Sequence, residues 1–350
     1  VRLLILDEPT ASLTEAEAAK LFSLIAKLKA SGVGIIYVSH RMREIRTIAD
    51  RITVLRDGRK IATVTSGDVS ETELVELMTG RKIGVLFPQI DFHPGKKLLD
   101  IDHLTLANHS VNDVSLVACA GEITGIAGLV GCGKSEIIRA AFGLEAISSG
   151  VIRVDGEVVA HPSPTALLRR GLCYFPSDRV AEGLALGRPV RENASMAALD
   201  LPAFARGQVL QRRSERRVIQ SIVDRLKLRP PYIERMVANL SGGNRQKVLL
   251  ARGLTREIKV FLFDEPTVGV DVGAKAEVYE LMKALVATGA AIVLVSSELP
   301  EVMNLSHRLY VMHRSRMVAE LTGSGISEPE VLSYFFGETS PERTAAPAQG

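Results

Sequence analysis

Short apolar runs alternate along the chain with longer segments in which apolar residues recur every three or four positions. Leu3–Leu6, Val260–Phe263 and Gly289–Val295 are such runs, and each has the length of a buried strand. None reaches the roughly 18 apolar residues that a membrane-spanning helix requires. In one intervening segment the apolar residues fall on a single predicted helix face: Leu21, Leu24, Ile25 and Leu28. Strands and helices that alternate in this way predict an α/β fold with a mostly parallel sheet flanked by helices.

The same pattern occurs twice. Leu3–Thr10 reads LLILDEPT and Val260–Thr267 reads VFLFDEPT, at an offset of 257 residues. The offset holds without a gap for about fifty residues, which indicates a duplicated domain rather than two unrelated α/β units. We expect the first copy to lack its N-terminal part, because only the second copy has about 160 residues of its own before DEPT.

The repeat predicts the domain organisation. Residues 1–85 form the C-terminal part of a first domain, 86–97 a proline-containing linker, 98–338 a complete second domain, and 339–350 a disordered tail. The second domain opens with three predicted strands, near Leu98–Leu106, Val114–Ala118 and Glu122–Ala127.

Composition narrows the function only slightly. The 350 residues carry 43 basic and 40 acidic side chains, a net charge of +3, so composition gives no reason to expect a nucleic-acid partner. Apolar residues make up 46% of the chain, which suffices for packed cores. Cys119, Cys132 and Cys173 are widely spaced without a CxxC pair, which argues for a reducing compartment and excludes a disulfide framework or structural zinc.

Gly128–Ser135 reads GLVGCGKS and fits the phosphate-binding pattern GxxxxGK[ST]. The apolar strand Ile123–Ala127 precedes it and a predicted helix over Glu136–Phe142 follows it, which is the context this motif requires. Its glycines let successive backbone N–H groups point at phosphate oxygens, and the helix N-terminus adds partial positive charge. Lys134 would then reach the β- and γ-phosphates, and the Ser135 hydroxyl would bind Mg²⁺. An ordinary glycine-rich turn is the alternative, which the flanking strand and helix disfavour.

A pair of carboxylates ends the apolar strand Val260–Phe263. Asp264 at the end of this strand would hold Mg²⁺, and Glu265 could orient and polarise the water that attacks the γ-phosphate. A solvated turn acid is the alternative interpretation, which the upstream phosphate-binding loop disfavours. Asp7 and Glu8 repeat this pair, but no such loop precedes them in this chain.

A second candidate anion site lies at Leu240–Gln246, which reads LSGGNRQ. Ser241 can cap the helix that follows, and Gly242 with Gly243 leaves the backbone N–H groups of its first turn uncovered. Alone, the segment would be interpreted as a flexible capped turn. Its position some twenty residues before DEPT favours a role in binding phosphate.

Together these motifs resemble those of the ABC-type ATPases, in which the LSGGN element of one domain closes over ATP held by the P-loop of its partner. DEPTVGVDVGAK at Asp264–Lys275 and LSGGNRQK at Leu240–Lys247 are similar to the second half of the fused double-ATPase subunits of simple-sugar importers, the ribose, galactose and xylose group. DEPTASLT at Asp7–Thr14 is similar to the first half of the same subunits.

The resemblance implies a P-loop ABC-type nucleotide-binding domain, with an antiparallel β-subdomain and a helical subdomain over about 149–239, preceded by a partial copy of the same fold. It implies ATP and Mg²⁺ as cofactors, Ser135 and Asp264 as metal ligands, and Glu265, Lys134 and Ser297 as catalytic residues. The implied nucleotide-binding residues are Gly128, Gly131, Cys132, Gly133, Lys134, Ser135, Glu136, Ser177, Ser241, Gly242, Gly243, Asp271 and, from the first copy, the switch histidine His40.

Two positions depart from the family pattern. Ser297 stands where the first copy has His40, and similar second halves carry the same serine. A hydroxyl can hydrogen-bond phosphate but carries no positive charge near neutral pH, which argues against fast hydrolysis at this site. Ser177 stands where family members usually have Gln or Glu, which predicts weaker coupling between the metal and the membrane partner.

The leading hypothesis is a subunit, peripheral on the cytoplasmic face of the cell membrane, that binds and hydrolyses ATP to energise import of a simple sugar or related small solute. The resemblance implies membrane permease subunits and a periplasmic solute-binding protein as partners, with head-to-tail pairing of ATPase domains and no nucleic acid. Because the first copy has neither P-loop nor signature, we expect the chain alone to bind Mg·ATP weakly.

Two alternatives remain open at the level of sequence. A soluble double-ATPase acting on ribosomes would also contain two ABC halves, but it favours a long charged linker and switch histidines in both, and the short linker and Ser297 count against it. A truncated, non-catalytic paralogue is favoured by the first copy's abrupt start.

Overall fold

A computed structural model gives the fold and describes residues 2–10, 15–39, 42–56, 58–79, 87–91, 93–323, 326–335 and 337. The chain divides into two compact units. The first consists of Val1–Leu86 with Asp271–Ala276, and the second consists of Phe87–Val270 with Glu277–Gly350.

Among its described residues, the first unit has two small sheets and three helices of its own. Its elements are β1 (Leu3–Asp7), α1 (Glu15–Ala30), β2 (Gly34–Val38), α2 (Met42–Ile48), β3 (Arg51–Arg56), β4 (Arg59–Thr65) and α3 (Glu71–Thr79). Strands β1 and β2 pair in parallel, and β3 and β4 form an antiparallel hairpin. The core of this unit packs residues of the hairpin against α2 and α3: Met42, Ile52, Val54, Val69 and Leu74.

The second unit begins with strands close to those the sequence predicts and continues through a longer series of elements. These are β5 (Lys97–Leu106), β6 (Val114–Cys119), β7 (Ile123–Gly128), α4 (Lys134–Ala141), β8 (Ile147–Val154), β9 (Glu157–Val158), α5 (Pro164–Arg169), β10 (Leu172–Phe175), α6 (Val190–Ser195), β11 (Ala205–Arg206), β12 (Val209–Leu210), α7 (Arg212–Arg225), α8 (Gly242–Gly253), β13 (Val260–Asp264), α9 (Val272–Ala287), β14 (Ala291–Val295), α10 (Leu299–Leu305), β15 (Arg308–His313), β16 (Arg316–Thr322) and α11 (Glu328–Phe335).

The central sheet of the second unit has six strands in the order β10-β13-β14-β7-β15-β16. All neighbouring strands are parallel except β15 and β16. Strands β7, β10, β13 and β14 are buried along their whole length, as expected for parallel strands covered on both faces. Because the carboxyl ends of parallel strands meet at one edge, the residues that follow β7, β10, β13 and β14 converge there.

A separate antiparallel sheet, in the order β6-β5-β8-β9, accounts for the predicted β-subdomain. The predicted limits of the helical subdomain, 149–239, are wrong at their start. Residues 149–154 belong to β8, which pairs with β5, and β10 lies in the central sheet. The mostly helical part runs from the turn Arg179–Gly183 to Val237–Asn239. Sequence could not show this, because β8 and β5 come together only in the tertiary structure.

The duplication is visible element by element. Shifted by 257 residues, the bounds of β1, α1, β2, α2, β3 and β4 coincide with those of β13, α9, β14, α10, β15 and β16, which extends the repeat beyond the predicted fifty residues or so. Local details repeat as well. Glu8 and Glu265 both have positive φ, 42° and 47°, and the hydrogen bond from Thr10 to Glu44 matches that from Thr267 to Glu301.

Across the described ranges, we find no helix that combines the length and the apolar character needed to cross a bilayer.

Candidate nucleotide-binding site

Two glycines, Gly128 and Gly133, flank the loop between β7 and α4 at positions where a Cβ atom would force a shift. Gly133 has φ of 103°, and a Cβ atom placed on it would lie 2.2 Å from the carbonyl oxygen of Ser110. A Cβ atom on Gly128 would lie 2.6 Å from the Sγ of Cys132 and 2.7 Å from the carbonyl oxygen of Met312. The backbone can therefore curl here only because these side chains are absent.

Lys134 is the first residue of α4 and is almost entirely buried, with 4% of its surface exposed. Its Nζ donates to the carbonyl oxygen of Gly128 at 3.3 Å and to the Oγ of Ser297 at 3.0 Å. It also forms an ion pair with Glu265 at 3.6 Å. The ammonium group is thus held over the glycine loop by partners from three different strand ends.

Ser135 and Asp264 lie against each other at the same sheet edge. The Ser135 hydroxyl donates to Oδ1 of Asp264 at 2.7 Å, and Asp264 is only 1% exposed. Burial raises the pKa of the Asp264 carboxyl, while hydrogen bonds from Ser135 and Tyr174 act in the opposite direction. A hydroxyl oxygen and a carboxylate oxygen beside a phosphate-binding loop are the hard ligands that Mg²⁺ prefers, so these residues fit this ion.

Glu265 follows Asp264 with a left-handed backbone, and its N–H donates to the carbonyl oxygen of Val295 at 2.9 Å. This turn directs the carboxylate toward the loop after β14. There Glu265 accepts from the Ser297 backbone N–H at 2.9 Å and from its hydroxyl at 2.5 Å. The structure therefore brings together Glu265, Lys134 and Ser297, the three residues that the sequence analysis assigned to catalysis.

The signature residues form a separate turn at the start of α8. Ser241 precedes the first residue of this helix, and its Oγ accepts from Nδ2 of Asn244 at 2.9 Å. Ser241 occupies the predicted N-cap position. Among the described residues, however, its side chain accepts no hydrogen bond from a backbone N–H of the first turn. Gly242 lies beside the Arg179 guanidinium, and Gly243 is half-buried in the first turn.

The remaining predicted nucleotide-binding residues are spread over other positions. Glu136 follows Ser135 in α4 and is half-buried, while Ser177 is exposed beyond the end of β10. Oδ1 of Asp271 accepts from the backbone N–H of Ala274 at the start of α9. Cys132 is buried in the glycine loop, and burial raises the pKa of its thiol. Gly131, with φ of 80°, is in the same loop, and His40 lies outside the described residues.

Two residues with close contacts to the site were given no role from sequence. The Tyr174 hydroxyl donates to Oδ2 of Asp264 at 3.0 Å. The Arg179 guanidinium donates to the carbonyl oxygens of Val268 and Gly269, at 2.8 and 2.7 Å. Both residues sit at or just beyond the end of β10, whose pairing with β13 carries no local sequence signal.

Comparison with known proteins gives a consistent picture. Residues 111–268 match the family model described as ABC transporter. A ribose/galactose/methyl galactoside import ATP-binding protein of Burkholderia lata is 42% identical over 332 residues, which cover 95% of this chain and 64% of the relative. A similarly named protein of Burkholderia ambifaria is 41% identical over the same shares of the two chains. The chain thus spans a little less than two thirds of these curated relatives.

Solved structures show the same fold. An ATP-binding cassette of an ABC transporter in its ADP conformation matches with a TM-score of 0.59 and 23% identity, over 70% of this chain and all of that one. A nucleotide-free cassette matches with the same TM-score and identity over 69% of this chain. These likenesses confirm the predicted α/β fold with a P-loop and a mostly parallel sheet.

Proposed function

We propose that the chain is an ABC transporter ATP-binding protein, whose family model residues 111–268 match, and that it binds and hydrolyses ATP to energise a membrane importer. The observation that carries the proposal is the convergence of Lys134, Ser135, Asp264, Glu265 and Ser297 on one edge of the central sheet. Lys134, Glu265 and Ser297 contact one another, and Ser135 contacts Asp264, so the edge offers a cation for phosphate, a carboxylate base and two oxygen ligands for a metal.

Each of these groups has a distinct task in the proposal. Bound Mg·ATP would supply the γ-phosphoryl group whose transfer to water is the energy-releasing step. Ser135 and Asp264 would hold the metal, and Lys134 would leave its present partners to meet phosphate oxygens. Glu265 would accept a proton from the attacking water, and the Ser297 hydroxyl would keep that carboxylate oriented.

The transported solute is proposed as a simple sugar, because relatives covering 95% of this chain are named as ribose/galactose/methyl galactoside import proteins. Membrane permease subunits and a periplasmic solute-binding protein are the partners that such an importer needs. We place the chain peripherally on the cytoplasmic face of the membrane, where ATP is available. The domain division at 86–97 and the assignment of His40 to a second, composite site are part of the same proposal.

Hydrolysis is proposed to require a second ATPase domain. In the turn at Ser241–Gly243, the Ser241 hydroxyl is hydrogen-bonded to Asn244 of the same helix. Among the described residues, no hydrogen bond joins this turn to Lys134 or Asp264. A nucleotide held at Lys134 would therefore be covered by the signature turn of another domain, through head-to-tail pairing.

Reconstitution with permease subunits in lipid vesicles tests the proposal. The chain is co-purified with candidate sugar-permease subunits, and ATP hydrolysis is measured with and without a sugar-loaded binding protein. Lys134→Ala should abolish the stimulated hydrolysis, while Lys259→Ala, at an exposed lysine before β13, should preserve it. Stimulation that persists in Lys134→Ala would show that the working site lies elsewhere. An absence of permease binding would favour the non-catalytic alternative.

A further inference from the structure

The Tyr174 hydroxyl contacts the buried carboxylate of Asp264. It donates to Oδ2 of Asp264 at 3.0 Å, while Oδ1 of the same carboxylate accepts from Ser135 at 2.7 Å. The two bonds fix the rotation of the carboxylate about its side-chain bond, since each oxygen has its own donor. Tyr174 belongs to none of the motifs that predict the site from sequence.

The direction of the Tyr174 hydrogen follows from its partner. A carboxylate has no hydrogen to donate, so Oδ2 of Asp264 accepts and the Tyr174 hydroxyl gives its single hydrogen to this bond. Tyr174 is itself buried, with 8% of its surface exposed, so the bond is largely shielded from water.

The Tyr174 ring is held by packing as well as by its hydroxyl. Phe142, the residue that follows α4, packs its ring against the Tyr174 ring with centroids 5.8 Å apart. The hydroxyl is therefore presented to Asp264 from a buried ring that has its own packing partner.

We propose that Tyr174 is a positioning residue of the magnesium site, which holds the Asp264 carboxylate so that one oxygen faces Ser135. The inference rests on the proposed function, because it concerns how that function's metal ligand is oriented. Partners that orient metal ligands typically change metal affinity by about 10–100-fold when they are removed.

Tyr174→Phe tests the proposal because it removes one oxygen and leaves the ring. Binding of a fluorescent ATP analogue is measured against Mg²⁺ concentration, and Mn²⁺ binding in the presence of ATP is followed by electron paramagnetic resonance. We expect the half-saturating Mg²⁺ and Mn²⁺ concentrations to rise about 10–100-fold, with nucleotide binding in EDTA unchanged. The matched control is Tyr310→Phe, which removes a buried hydroxyl that accepts from Val117 at 3.2 Å, away from Asp264.

Each outcome separates this inference from the function on which it rests. A wild-type chain that binds no Mg·ATP overturns the proposed function. A wild-type chain that binds, with Tyr174→Phe shifting the metal dependence less than twofold, overturns the positioning role alone. An equal loss in EDTA would show that Tyr174 merely supports the fold, as would an equal metal shift in Tyr310→Phe.

A second variant covers the case in which Tyr174→Phe fails to fold. Phe142→Leu removes the ring that packs against the Tyr174 ring, so the Tyr174 hydroxyl should hold Asp264 less firmly. We expect the half-saturating Mg²⁺ concentration to rise in this variant, and an unchanged value would overturn the positioning role.

Discussion

Replacing Glu265 by glutamine should lower the stability of the second unit without nucleotide and increase its affinity for ATP. Glutamine keeps the shape of the side chain, but its single carbonyl oxygen can replace only one of the two carboxylate oxygens that accept from the Ser297 backbone N–H and hydroxyl. It also removes the charge that faces Lys134 at 3.6 Å. Both side chains of this pair are largely buried, so the loss is only weakly screened by water.

The magnitude follows from the distance. Two unit charges 3.6 Å apart attract by about 5 kcal/mol at an effective dielectric constant of about 20. Lys134 keeps its bonds to Gly128 and Ser297 and can turn toward water, so we expect a net loss of about 2 kcal/mol. For a unit of this size, that lowers the melting temperature by about 4–8 °C.

In the wild type, Lys134 must give up its attraction to Glu265, about 2 kcal/mol, before it can bind phosphate. Without this cost, ATP affinity should rise by up to about 30-fold, at 1.4 kcal/mol per tenfold. Differential scanning fluorimetry with and without ATP, together with calorimetric titration, measures both effects. The duplicated chain supplies the control, because Glu8 is the counterpart of Glu265 and is exposed. Glu8→Gln should change neither quantity. Weaker ATP binding by Glu265→Gln, or an equal effect in Glu8→Gln, would contradict this reasoning.

Three further predictions concern the same unit. Ser135→Ala should reduce Mg²⁺-dependent ATP binding at least about tenfold and leave binding in EDTA nearly unchanged, as titration of the two conditions would show. Gly133→Ala should weaken ATP binding at least about tenfold, because the loop must shift to accept a Cβ atom. Gly156 also has positive φ but has open space around it, so Gly156→Ala should destabilise the fold without altering ATP affinity. The second unit should lose stability as pH falls below 6.5, the ordinary pKa of histidine. Burial lowers the pKa of His307, so in this range only the unfolded chain takes up the proton. Melting temperatures of the wild type and of His307→Gln across this pH range would show the loss of stability.

These predictions have clear contrary outcomes. Equal losses with and without Mg²⁺ in Ser135→Ala would place the hydroxyl at the nucleotide rather than at the metal. Gly133→Ala with normal affinity would show that the loop tolerates a side chain. For His307, Nδ1 accepts from the N–H of Ile123 at 3.0 Å, a bond that protonation would break. A variant that loses stability with falling pH as steeply as the wild type would remove His307 as the cause.

Much of the site can be predicted from sequence because its motifs are local. The glycine loop, Lys134 and Ser135 are contiguous, and the strand, loop and helix that position them follow in order along the chain. The carboxylate pair at Asp264 and Glu265 likewise ends a strand whose apolar pattern is evident. The repeat can be recognised from the sequence alone, and the structure shows that it extends over more elements than sequence similarity indicated.

Other features depend on which strands become neighbours. Lys134 and Ser297 are 163 residues apart, and Tyr174 and Asp264 are 90 apart, yet each pair is hydrogen-bonded. The limits of the helical subdomain were misplaced for the same reason, because a strand is identified only with its pairing partner. A sequence determines where strands, turns and reactive side chains occur along the chain. Only packing of the whole sheet decides strand order, and strand order determines which distant side chains share the carboxyl edge where the site forms.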